Sequence, residues 1–256
     1  MIELPLIAII TKLLTIGVRL TGLMLFAPFF GSVVIPARVK AVLVLALTAV
    51  LYPAVEQGID PHVLDRWPLV IASEFLVGVG MGIASNVVFE GAQLAGQVLG
   101  VQMGYSLVNI LDPQTQVETT VVATFYQSIV MLLFLQMNVH LWLLRAVGNS
   151  YRYVPPGTAH LTNLFTLSIL KLTGEIFALG VQIAAPVMAA TLTADIILGL
   201  LGKASPNMPL MLLGPAVKSL LGLFVLIATL KYWPDIFGHL FKDAVNNSER
   251  MFHLAG

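Results

Sequence analysis

The fold of this chain turns on residues 92–118, AQLAGQVLGVQMGYSLVNILDPQTQVE. Ala92, Gly96, Gly100 and Gly104 recur every four positions, so on a helix they form one flat face that another backbone can approach closely. The stretch that follows, 105–118, carries Asn109, Asp112, Pro113, Gln114, Gln116 and Glu118 and no lysine or arginine. Strongly apolar segments flank it on both sides. Hydrocarbon cannot satisfy the polar groups of such a loop, so it must be enclosed by protein or line a water-filled path.

The rest of the chain sets that context. Of 256 residues, 58% are hydrophobic and 10% charged, and the mean hydropathy is +0.92, well above an ordinary globular domain. Runs of about 20 apolar residues cross a hydrocarbon core. Six segments of this kind stand out, at about residues 4–30, 39–55, 69–89, 119–147, 172–201 and 208–233, the second being short. The expected fold class is an all-α membrane protein of about six long apolar helices with Gly and Pro kinks. The net charge is zero, which points away from nucleic acid or an acidic substrate. With no cysteine, disulfides and thiolate metal sites are excluded. The opening MIELPLIAII lacks a positive leader region, and Lys12 and Arg19 interrupt the apolar run. The first helix is therefore expected to be retained.

Six crossings would place both termini on one side. Trp67, Trp142 and Trp233 then mark helix ends on that side, each near a basic residue (Arg66, Arg145, Lys231). Tryptophan favours the interface and cationic loops favour the cytoplasm. The termini are expected to be cytoplasmic, with the 105–118 loop pointing away from the cytoplasm or into the protein. The chain divides at 151–160, YRYVPPGTAH, where Pro155, Pro156 and Gly157 stop a helix. A long helical hairpin turning at 202–209 follows.

Charges inside apolar helices are costly and mark functional positions by default. Lys12, Thr15, Arg19 and Gly22 share one stripe, and Glu74, Gly78, Gly82 and Asn86 another. In the last hairpin Asp195 shares a face with Thr191, Gly199 and Gly202, and Lys218 shares one with Gly214 and Gly222. Arg19, Glu74, Asp195, Lys203 and Lys218 are the expected buried charges. Gly78, Gly82, Gly96, Gly100, Gly104, Gly199, Gly214 and Gly222 are the expected packing glycines. Asp195 and Lys218 lie at similar distances from the hairpin turn. They are expected to pair across it or to bracket one polar contact with a neighbouring subunit. Met103, Gly104 and Tyr105 enter the polar loop, and Met103 is the methionine best placed beside a gate. The bland alternatives are ordinary helix packing and core filling.

No catalytic constellation emerges. The five histidines are scattered, and there is no HExxH, phosphate-loop or GxSxG pattern. The chain is expected not to be an enzyme and to hold no cofactor or metal.

Several motifs resemble the FliR family, the R-type membrane subunit of the flagellar type III export gate, whose injectisome homologue is SctT. They are Arg19-x-x-Gly22, Ala27-Pro28-Phe29-Phe30-Gly31-Ser32, Ile35-Pro36-Ala37-Arg38, Glu74-x-x-x-Gly78-x-Gly80, Ala95-Gly96, Gln102-Met103-Gly104 and Asp112-Pro113. Ala185-Pro186, Leu198-Gly199-Leu200, Lys203-x-x-Pro206 and Gly214-Pro215-x-x-Lys218 complete the set. A departure is Lys203, where the family often has arginine; the charge stays but the guanidinium fork is lost.

The resemblance implies a core subunit of a protein-conducting gate in the bacterial inner membrane and flagellar basal body. It implies P-type and Q-type partners (FliP and FliQ), B-type and A-type partners (FlhB and FlhA), membrane lipid and unfolded export substrates. It also implies a P-like part over 1–150, a Q-like hairpin and tail over 160–256, and a plug formed by 104–118. An injectisome gate subunit and a secondary transporter with a midplane site are the alternatives, and an assembly scaffold is a third.

Overall fold

The computed structural model describes residues 3–32, 34–55, 67–105, 119–156, 163–205 and 210–253. The polar loop residues Asn109, Asp112, Pro113, Gln114, Gln116 and Glu118 lie outside the described residues. Those described are all-α: α1 (Glu3–Phe26), α2 (Ala37–Val55), α3 (Trp67–Gln102), α4 (Val121–Gln136), α5 (Val139–Tyr153), α6 (Asn163–Ala204), α7 (Leu210–Thr229) and α8 (Trp233–His253), with a 3-10 turn at Leu230–Tyr232 before α8.

Each of the six expected apolar segments is helical, but three differ in extent. The third runs on through the small-residue stretch, so α3 has 36 residues, a length of about 54 Å at 1.5 Å per residue. Glycines weaken an isolated helix; here tertiary packing on Gly91, Gly96 and Gly100 offsets that cost. The fourth breaks at Asn138, whose φ of 56° is left-handed, and α4 and α5 meet there with a bend of 65°. Asparagine is among the few side chains that tolerate this conformation. The fifth, α6, has 42 residues with Pro186 inside, about 63 Å against a hydrocarbon core of about 30 Å.

Four stretches among the described residues are long and apolar enough to cross a membrane: Ile9–Phe26, Trp67–Gln102, Leu170–Ala204 and Leu213–Ser248. The bent α4–α5 pair makes a fifth if it crosses as one span. The chain is an all-α membrane protein.

The chain forms two compact units, one from Met1–Val87, Phe134–Thr173 and Leu240–Gly256, the other from Val88–Leu133 and Gly174–His239. The break at 151–160 therefore falls inside the first unit. Its core sets Ile16, Leu20, Leu23 and Met24 of α1 against Val77 and Met81 of α3 and Ala146 and Val147 of α5. Between α1 and α2 the chain turns through Phe29, whose φ of 68° is rare for an aromatic residue. Its ring meets Phe30 edge-on at 5.4 Å. In the second unit, Trp233 stacks between Tyr126 at 4.7 Å and Phe237 at 5.5 Å.

Candidate functional site

In the first unit a charged cluster lies at the centre of the core. Gly22 and Gly78 let α1 and α3 touch backbone to backbone. A Cβ on Gly22 would stand 2.5 Å from the Phe75 carbonyl, and one on Gly78 would overlap the Arg19 carbonyl. That approach puts Arg19 beside Glu74, and both side chains are fully buried. Arg19 Nε donates to Glu74 Oε2 at 2.7 Å, one terminal nitrogen donates to Ser150 Oγ at 2.8 Å, and the other donates to the Val154 carbonyl at 3.1 Å. The guanidinium also lies 4.0 Å from the centre of the Tyr151 ring, a cation–π contact. Ser150 in turn donates to the Val147 carbonyl at 2.6 Å and Tyr151 to the Ile16 carbonyl at 3.3 Å. A buried ion is tolerated when it is paired and its remaining donors are satisfied. Arg19 is paired and each of its three nitrogens has a hydrogen-bond partner, and it thereby joins α1, α3 and α5.

The second unit holds the base of the polar loop. On the outgoing side, α3 ends at Gln102, whose Oε1 accepts from Thr191 Oγ1 of α6 at 2.8 Å. The Met103 carbonyl accepts from Ser219 Oγ of α7 at 2.8 Å. Met103 is buried, and its methyl would stand 2.8 Å from a Cβ on Gly222. Gly104 has a φ of 87°, and a Cβ there would meet Pro215 at 2.9 Å; only glycine fits both the angle and the space. On the returning side, Thr120 accepts from the Ala123 amide at 3.2 Å, which caps α4. The same hydroxyl donates to the Gly96 carbonyl at 3.1 Å. Gly100 faces Thr120, and Gly96 faces Ala123 so closely that a Cβ would overlap its backbone. Gln127 and Gln93 add a side-chain hydrogen bond of 2.6 Å between α4 and α3. The described residues on either side of the loop thus form one clasped base, and Gln102 and Met103 are pinned to α6 and α7.

Lys218 Nζ and Asp195 Oδ1 pair at 2.9 Å across α7 and α6, with side chains 20% and 48% exposed. The pairing expected across the hairpin is present within the chain. Within this chain Asp195 and Lys203 are exposed and Lys218 is half-buried. Among the described residues no other element covers the outer faces of α6 and α7 at these positions, and Lys203 stands exposed in the last turn of α6, where a cation complements the helix dipole. The glycines divide in the same way. Gly78, Gly82, Gly96, Gly100, Gly104 and Gly222 meet close neighbours, whereas among the described residues Gly214 has only Leu198 at 3.9 Å and Gly199 has nothing within 4 Å.

Ser150, Tyr151, Val154, Thr120 and Ser219 escaped the sequence reading. Arg19 and Glu74 carried a usable signal, since each sits by a glycine on an otherwise apolar stripe. Their partners on α5 are far away in sequence and look ordinary there.

Comparison with known proteins places this arrangement. Residues 10–244 match the family described as bacterial export proteins, family 1. The flagellar biosynthetic protein FliR of Escherichia coli (strain K12) is 28% identical over 229 residues, 89% of this chain and 87% of that protein. FliR of Bacillus subtilis (strain 168) is 23% identical over 246 residues, 95% of each. FliR of Caulobacter vibrioides is 25% identical over 228 residues, 87% of this chain and 91% of its own. A match over nearly all the described helices, with the clasped loop and the buried charge cluster inside it, shows that the chain belongs to the bacterial export proteins of family 1, the FliR family of flagellar export apparatus subunits.

Proposed function

We propose that this chain is a core subunit of the flagellar type III export gate, forming with P-type and Q-type subunits (FliP and FliQ) the channel through which unfolded flagellar proteins cross the inner membrane. The observation that carries the reading is the uncovered apolar hairpin. Only 22% of the Leu170–Ala204 window is buried within the chain and 17% of Leu213–Ser248, against 50% for Trp67–Gln102. Ile196, Leu200, Leu220 and Phe224 are each more than 60% exposed. At about 63 Å, α6 is twice as long as a hydrocarbon core is thick, so lipid alone cannot cover it. Neighbouring chains with matching apolar helices can.

In this reading the loop 104–118 is the plug. Its base, pinned by Gln102, Met103 and Gly104 to Thr191, Ser219 and Pro215, holds the polar segment on the channel axis at rest. An entering substrate displaces it. Polar groups facing a water-filled path need no protein partner, which accounts for a segment rich in Asn, Gln and Asp between apolar segments of the sequence. The P-like and Q-like parts, 1–150 and 160–256, would each pack beside the corresponding subunit. The termini would be cytoplasmic, the B-type and A-type subunits (FlhB and FlhA) would join the assembly, and the chain itself would be a non-enzymatic wall component. The flagellar relatives favour this over an injectisome role.

The test is ion permeability. Deleting 107–116 while keeping the Gly104 and Thr120 base should leave co-purification with the P-type and Q-type subunits intact and raise membrane ion leak. A tight membrane with normal assembly would remove the plug assignment.

A further inference from the structure

We propose that the groove between α2 and α5 is a binding site for an anionic phospholipid, a role separate from the gate. The cavity measures about 810 Å³, within the range of sites that enclose a ligand. Its floor is hydrocarbon: Leu47, Leu51 and Val55 come from α2, and Leu141 and Leu144 from α5. Two arginines, Arg145 and Arg152, line the same cavity and are exposed. They are seven residues apart on α5, two helical turns, so both rise from one face at backbone positions about 10 Å apart along the helix. Asn149 adds an amide between them.

Among the described residues neither arginine has a carboxylate within ion-pair distance. Glu56, Asp60 and Asp65, which follow α2 in sequence, lie outside the described residues. A greasy trough with a doubly cationic rim fits an amphiphile with acyl chains and one phosphate. Arginine suits that headgroup because its fork binds phosphate through two parallel hydrogen bonds. Basic pockets between membrane helices select anionic lipid by this chemistry. Phosphatidylcholine has the chains but cancels the phosphate charge with its own ammonium. Free phosphate has the charge and nothing for the floor.

Gly148 keeps the trough open. It lines the cavity, and a Cβ there would only reach ordinary contact with Leu51 at 3.7 Å. A leucine at this position would therefore occupy the space an acyl chain takes while leaving both arginines in the chain.

The test uses the purified full chain in neutral detergent, titrated with palmitoyl-oleoyl phosphatidylglycerol or with the matching phosphatidylcholine, bound lipid being counted by native mass spectrometry. The expected result is selective retention of phosphatidylglycerol. Arg145→Gln or Arg152→Gln should each weaken it about fivefold, the equivalent of about 1 kcal/mol per basic group, and the double variant about thirtyfold. Gly148→Leu should lose phosphatidylglycerol with both arginines in place, and millimolar glycerol phosphate should not displace the lipid. Equal retention of the two lipids by the unmodified chain overturns the proposal, as does unchanged phosphatidylglycerol binding in the double variant, which leaves the groove to an apolar protein segment. The arginines are exposed, so their glutamine variants fold and carry the test even if Gly148→Leu does not.

Discussion

Replacing Glu74 by glutamine keeps the shape of the side chain and removes one charge. Arg19 then remains fully buried with its positive charge facing only neutral groups among the described residues: the substituted amide oxygen, Ser150 Oγ, the Val154 carbonyl and the Tyr151 ring. Breaking a buried pair from one side costs about 3–5 kcal/mol, because an uncompensated charge stays in a low-dielectric core. In a chain of this size each kcal/mol moves the midpoint of thermal unfolding by about 2–4 °C, so Glu74→Gln should unfold about 6–20 °C lower. Replacing both partners, Arg19→Met with Glu74→Met, removes the charges together. What remains is the loss of hydrogen bonds to Ser150 and Val154, about 1 kcal/mol each, or about 4–8 °C. The double variant should therefore be more stable than either single one. Tryptophan fluorescence and far-UV circular dichroism of the detergent-purified chain, followed on heating, read this directly. Additive losses in the double variant, or a Glu74→Gln midpoint equal to that of the unmodified chain, would refute the ion pair as the organiser of the first unit.

Further outcomes follow from the same geometry. Gly78→Ala drives a methyl into the Arg19 carbonyl, so α1 and α3 must separate and stability should fall by about 1–3 kcal/mol, read as a lower unfolding midpoint. Gly199→Ala meets open space and should stabilise the isolated chain by up to about 1 kcal/mol through helix propensity. If a partner helix packs there, the same change should cut incorporation into the export complex, measured by co-purification. Asp195→Asn or Lys218→Met alters a partly exposed pair and should shift the isolated chain by no more than about 1 kcal/mol. Should assembly bury that face, each single variant will reduce flagellin secretion and the combination will restore part of it. Ser219→Ala with Thr191→Val removes two hydrogen bonds from the loop base, so ion leak should rise while co-purification holds.

The class of fold was readable because hydropathy is a local property. The six apolar segments, each helical in the structure, follow from residue type within short windows. Helix extent was not readable in the same way. The helical face at Ala92, Gly96 and Gly100 was readable from its four-residue spacing, but that it continues α3 without a break depends on what packs against Gly91, Gly96 and Gly100. The bend at Asn138 has the opposite cause, a single left-handed residue inside an apolar run. Arg19 and Glu74 were each recognisable as misplaced charges, yet 55 residues separate them, and only the Gly22–Gly78 approach explains why they meet. Asp195 and Lys218 were legible as a pair because one hairpin fixes their depth. Their exposure was not, since a charge in an apolar run looks the same whether another chain covers it or not.

Much of α6 and α7 is left bare in this chain, and the account holds that other subunits clothe it in a shared conduit. The most direct test is a cryo-EM map of the complex captured through a tag on this chain in cells with a flagellar export system. The account predicts a hetero-oligomer in which Ile196, Leu200, Leu220 and Phe224 lie against helices of P-type and Q-type subunits around a central path. A solitary chain whose α6 and α7 are ringed by lipid alone would contradict it.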